Sequence, residues 1–187
     1  MRRPRGCMKT YGNRQSTRLK KYDYSEPGVY FVTVCTHERQ ELFGSIEEGE
    51  MRLNHYGKIV NECWHEIPAH FPFVTLDEFG VMPDHAHGII DIHDRGQNTR
   101  ARHASPLQTK VAGPKPQSVG SIMGSFKSAA TKRMNQLRNT PGKQIWQRGY
   151  HDRVIRNNAE LHEYRKYIRN NPKSFEIETS RKVILTP

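Results

Sequence analysis

Apolar positions first become regular at Gly28–Cys35 (GVYFVTVC), a run nearly continuous in β-branched and aromatic residues that predicts a buried central strand. Leu42-Phe43-Gly44 to Leu53, with Glu47-Glu48-Gly49-Glu50 between, predicts a hairpin-like excursion. Asn54 can cap a helix whose Tyr56, Ile59, Val60, Cys63, Trp64 and Ile67 repeat at three and four, with Pro68 and Pro72 bracketing its end. Phe73–Val81 reads as the next strand. Pro83-Asp84 is a turn signal, and the run that follows alternates as a strand. Ser118 can cap a second helix, with Val119, Ile122, Met123, Phe126, Ala130, Met134 and Leu137 on one side and Pro141-Gly142 as its stop. Gln144–Ile155 predicts a strand broken by Gly149. Asn157 or Asn158 caps a third helix expected to end at Asn171, because Pro172 disfavours helical geometry in the residue before it.

The order is strand, helix, strand, strand, helix, strand and an extra C-terminal helix. That order predicts an α+β fold with a ferredoxin-like split β-α-β sheet. Two helices should cover one face, and the extra helix can cross the other. Residues 1–21 and 94–117 fit neither period. The first carries Arg2, Arg3, Arg5, Lys9, Arg14, Arg18, Lys20 and Lys21 with no acid and predicts a flexible basic arm. The second is polar and rich in Pro, Gly, Arg and Gln, as expected of a long insertion in a domain spanning 22–175, before a tail at 176–187.

Candidate chemistry sits in Met82-Pro83-Asp84-His85-Ala86-His87-Gly88-Ile89-Ile90. Strand alternation puts Ala86, Gly88, Ile90 and Ile92 on the packing face. His85, His87, Ile89, Asp91 and His93 take the other, which is expected to be accessible. Both imidazoles can then share one ion. The chain has ten histidines, so the pair is weak evidence alone. Context comes from Tyr167-Ile168-Arg169-Asn170-Asn171-Pro172. Leu161, Tyr164 and Ile168 form the third helix's packing stripe; at about 100° per residue, Tyr167 lies roughly 90–100° from its centre, with Asn171 about 40° further round. Tyr164 is thereby the structural tyrosine and Tyr167 the candidate nucleophile. Two imidazoles and the Asn171 amide oxygen could hold a divalent ion, with phosphate oxygens completing the site.

Composition narrows the partners. Net charge is +11 and the pI about 9.8, which points to polyanions. Lys127, Lys132, Arg133 and Arg138 lie off the second helix's apolar stripe. With Arg14, Arg18, Lys20, Arg148 and Arg153, the first three make up the candidate DNA contacts. A mean hydropathy of -0.86 and the lack of a long apolar run argue against a membrane span. No signal peptide is visible. Cys7, Cys35 and Cys63 are odd in number and contain no C-x-x-C, which fits a reducing cytosol.

Across most of residues 22–175 the chain resembles the REP-associated tyrosine transposases, within the HUH single-tyrosine transposases of bacterial insertion sequences. The resemblance rests on DYSEPGVYFVTVCTHERQELFG, VMPDHAHGII, SVGSIMGSFKSAATKRMN, WQRGYHDRVIR and YIRNNP. It implies a ferredoxin-like fold and a Mg²⁺- or Mn²⁺-dependent single-strand endonuclease active in DNA transposition and recombination. His85 and His87 match the HUH ligands, and Asn171 the third ligand position. Tyr167 matches the nucleophile that forms a 5′-phosphotyrosine and frees a 3′-hydroxyl. The implied partners are single-stranded DNA and the hairpins of repetitive extragenic palindromes, in a cytoplasmic, nucleoid-associated protein. Monomer and homodimer both remain open. Asp84 stands where Asn is common, and Gly88 where a larger apolar residue is common and is expected to loosen the strand. Two other readings stay in play: a non-catalytic single-stranded nucleic-acid-binding sheet, and a structural histidine pair with no metal.

Overall fold

The computed structural model describes residue 24, residues 26–94 and residues 117–184, with side chains to residue 177. The basic arm with Arg14, Arg18 and Lys20, and nearly all of the 94–117 insertion, lie outside the described residues. The elements are β1 (Gly28–Cys35), β2 (Gly44–Glu47), β3 (Glu50–Leu53), α1 (His55–His65), α2 (Ile67–His70), β4 (Val74–Met82), β5 (His85–Ile92), α3 (Val119–Leu137), β6 (His151–Ile155) and α4 (Asn158–Ile184). Local chemistry sets their starts. The Asn54 side chain accepts from the backbone N–H groups of Tyr56 and Gly57, and Ser118 accepts from Ser121. Asn157 Oδ1 accepts from the Glu160 N–H at 2.9 Å.

One four-stranded sheet runs β4-β5-β1-β6, antiparallel at every neighbour, with β2–β3 as a separate hairpin. β1 and β4 therefore run parallel with β5 between them. Each face has its own core. Tyr30, Val32 and Val34 of β1 and Ala86, Ile90 and Ile92 of β5 pack with Trp64 of α1 and with Ile122, Met123 and Phe126 of α3. On the opposite face Phe31 and Ile89 pack with Ile155 and with Tyr164 and Ile168 of α4. The alternation read from β5 is thus the one observed, and the Leu161, Tyr164, Ile168 stripe is the packed side of α4.

Three expectations are corrected. The strand foreseen over 144–155 is confined to His151–Ile155. Its first half is instead tied by the Lys127 side chain and by one backbone bridge. Lys127 Nζ donates to the carbonyls of Gln147 (2.8 Å) and Gly149 (2.7 Å), and an isolated bridge pairs Trp146 with Thr36. The third helix does not stop at Asn171 but runs through Pro172 to Ile184. An internal proline costs about 3 kcal/mol. Packing in the turn that follows it offsets that cost: Phe175 lies 6.3 Å from the His85 ring, and Lys173 lies against Gly49 of the β2–β3 turn.

Gly88, finally, does not loosen β5; it admits Trp64. A Cβ there would sit 2.5 Å from Trp64 Cζ2 and 2.9 Å from Phe79 Cδ2, two rings stacked at 4.4 Å. Gly88→Ala is expected to overpack this contact and cost about 1–3 kcal/mol, read as a lower midpoint of denaturant unfolding.

Candidate metal and nucleophile site

Alternate positions 85 and 87 of β5 point their imidazoles into the layer between the sheet and α4, with ring centres 5.1 Å apart. The expected accessible face is not found. His85 is 7% exposed and His87 1%, because α4 lies over them. Burial, with the neighbouring His85 adding to it, holds the His87 pKa well below the usual histidine value, so the ring is neutral. Its Nδ1 accepts from Asn171 Nδ2 at 3.3 Å, and its Nε2 is buried with no partner. Gly80 makes room for that edge: a Cβ there would stand 3.0 Å from Nε2.

The sheet thus brings His85 and His87 together, and α4 adds Asn171 and Tyr167. Asn171 is buried, and the half-buried Tyr167 ring lies 5.4 Å from His87 and 5.9 Å from Phe31. Tyr164 is stacked on Phe31 at 4.5 Å, and its hydroxyl accepts from Arg153 Nη1 at 3.1 Å.

Two arginine clips that the residue pattern did not reveal hold α4 in this position. A register shift in β4 between Leu76 and Phe79 brings Asp77 and Glu78 out toward the helix. Arg165 Nε donates to both Asp77 oxygens (2.9 and 3.2 Å), and Arg169 Nε to Glu78 (2.9 Å). The Arg165 guanidinium holds the Asp77 carboxyl below its usual pKa. Arg165 and Arg169 are one turn apart, which the sequence shows; the shift that lets consecutive carboxylates meet them is tertiary. Arg165→Glu with Arg169→Glu is expected to speed amide exchange along α4 while leaving β5 protected, and Asp77→Arg with Glu78→Arg to restore it. Unchanged exchange in the double variant would show the clips to be incidental.

The basic candidates scatter. Lys127 is committed to backbone carbonyls, and burial lowers its pKa. Arg133 forms a bidentate pair with Glu66 at 2.9 and 2.6 Å. Lys132, Arg148 and Arg153 are exposed, Arg153 while holding Tyr164. An open groove of about 730 Å³ follows α3 and the 139–146 segment past Lys127, Lys132 and Lys143, and none of His85, His87, Tyr167 or Asn171 lines it.

No protein-family model matches the chain. It is 38% identical over 164 residues to an "Uncharacterized protein" of Haemophilus influenzae, covering 86% of this chain and 88% of that one. A second protein of that organism, carrying the name "Putative REP-associated tyrosine transposase", is 23% identical over 150 residues, 80% of this chain and 73% of the other. A solved REP-associated tyrosine transposase bound to a REP hairpin shares the fold, with a TM-score of 0.56 at 18% identity over 85% of this chain and 74% of that one. The chain is thus similar in sequence to a protein named as a REP-associated tyrosine transposase and shares the fold of a solved one. Its antiparallel sheet and helices form a transposase fold. Among the described residues no helix is long and apolar enough to cross a membrane.

Proposed function

We propose that the chain is a metal-dependent single-strand DNA endonuclease and strand transferase acting through Tyr167, on a sheet of the ferredoxin-like split β-α-β kind. The β4-β5-β1-β6 order supports that description of the sheet. One observation carries the functional reading: Tyr167 and Asn171, four residues apart on α4, are both brought against His87, with His85 beside it.

The donor set fits a divalent ion such as Mg²⁺ or Mn²⁺. Among the described residues no three His, Cys, Asp or Glu side chains could hold a metal together, so the third protein ligand would be the Asn171 amide oxygen. Two imidazoles, which ligate only in their neutral form, and an amide oxygen bring no charge to the ion, leaving substrate phosphate oxygens to complete the shell. With Nδ1 accepting from Asn171, the neutral His87 ring carries its proton on Nε2; an ion would take the Nε2 lone pair of the other tautomer, after a half-turn of the ring that exchanges that edge with the one facing Asn171. When bound, the ion would polarise the phosphodiester and neutralise charge developing on its oxygens.

The Tyr167 Oη attacks phosphorus as the bond from phosphorus to the 3′ oxygen breaks. The phenol proton is lost and the departing oxygen gains one, so a 5′-phosphotyrosine and a free 3′-hydroxyl result with no net redox change. Tyr167 is held against Phe31 and His87, so attack draws on a positioned phenol. The name of the 23% identical relative and the hairpin-bound neighbour support hairpin-forming single strands as the substrate.

The test is incubation of hairpin-bearing single-stranded DNA, labelled on the 3′ side of the cut, with protein and Mn²⁺. A denaturation-resistant labelled protein band is expected, and it should vanish with chelator. Tight binding with no band across a panel of hairpins would favour the non-catalytic binding module.

A further inference from the structure

We infer that Asp84, anchored by Arg39, is a positioning residue that fixes the His85 tautomer so that Nε2 is the nitrogen offered to the ion. The inference rests on the metal reading above only for its last step. Asp84 is 6% exposed, and its Oδ1 lies 2.6 Å from His85 Nδ1. A carboxylate oxygen can only accept, so Nδ1 carries a proton, and in the neutral ring, the form that ligates, Nε2 keeps the lone pair. The second carboxylate oxygen, Oδ2, pairs with Arg39 Nε at 2.8 Å. Both oxygens are therefore used, and the carboxylate cannot turn without breaking a charged contact.

The surrounding backbone is built to hold this relay. Asp84 occupies the two-residue connection between β4 and β5, so its side chain is set by a tight turn next to the ligand it orients. Its carbonyl accepts from the Thr36 N–H at 2.9 Å, and the Thr36 hydroxyl lies 2.9 Å from the same oxygen; Thr36 is fully buried. Arg39 arrives on a short helical turn in which Glu38 (φ 54°) and Arg39 (φ 58°) both take left-handed conformations that non-glycine residues rarely adopt. Arg39 Nη1 is buried without a partner. The chain thus accepts backbone strain and an unsatisfied donor at the point where Arg39 meets Asp84. A hydrogen-bonded carboxylate behind a metal-ligating histidine sets ring orientation and raises ligand basicity, and its loss typically lowers metal affinity ten- to a hundredfold.

The experiment uses the full chain without DNA. ¹⁵N-NMR of the metal-free protein reads the His85 tautomer, and titration with Co²⁺ alone reads affinity for an imidazole-preferring ion. Wild type should show a protonated Nδ1. Asp84→Ala should lose the single tautomer and bind Co²⁺ about ten- to a hundredfold more weakly. Asp84→Asn should keep the tautomer through its amide oxygen and recover most of the affinity. If Asp84→Ala does not fold, Arg39→Gln should weaken Co²⁺ binding in the same direction. A wild-type His85 protonated on Nε2, an unchanged tautomer in Asp84→Ala, or an Asp84→Asn variant as impaired as alanine would overturn the assignment. If wild type binds no Co²⁺ but shows the expected tautomer and its loss in Asp84→Ala, orientation by Asp84 stands and the metal reading fails.

Discussion

Tyr167→Phe is expected to leave the fold and DNA affinity intact while abolishing both nicking and adduct formation. The substitution deletes one oxygen and keeps the ring that meets Phe31 and His87. Tyr164→Phe should do the reverse. Its hydroxyl accepts from Arg153, and losing that bond should cost about 1 kcal/mol of stability with cleavage retained. The contrast follows from helix geometry: Tyr164 is in the stripe stacked on Phe31, and Tyr167 is on the flank it shares with Asn171. Cleavage assays and denaturant melts on the two variants separate the roles. A nick that survives Tyr167→Phe would reject the mechanism.

The second large effect is at His87. His87→Leu should stay folded yet lose all metal-dependent cleavage. Removing the ring deletes a buried, unpartnered Nε2, which favours stability, and strips Asn171 Nδ2 of its acceptor, which opposes it. Each effect is on the order of 1–3 kcal/mol, so the net change should be small. A structural histidine would behave differently: its loss would cost stability and leave cleavage intact in the surviving folded fraction. Measuring the unfolding midpoint and the cleavage rate on one preparation distinguishes them.

Much of this arrangement was legible in the residues. Period-two alternation at β5 correctly divided Ala86 and Ile90 from His87 and Ile89, because the strand has a core on each face and a slip of one residue would bury the wrong set. Helical angles likewise placed Tyr164 in the packed stripe. What failed did so for tertiary reasons. The face carrying the histidines was legible, but the depth to which α4 covers it depends on the Asp77–Arg165 and Glu78–Arg169 clips and on a register shift with no local signature. Pro172 is a sound local stop, outweighed here by contacts made by Phe175 and Lys173. Gly88 looked like a weakness because its neighbour Trp64 is 24 residues away in sequence.

The most direct test of the central claim is to find which residue carries the DNA. Trypsin cuts after Arg156, Arg165, Lys166 and Arg169, so Tyr164 and Tyr167 fall in different peptides. After reaction with a hairpin oligonucleotide and Mn²⁺, nuclease trimming and mass spectrometry should find the nucleotide-linked phosphate on the peptide Tyr167-Ile168-Arg169. A phosphate on the peptide ending Tyr164-Arg165, or on any other residue, would contradict the account.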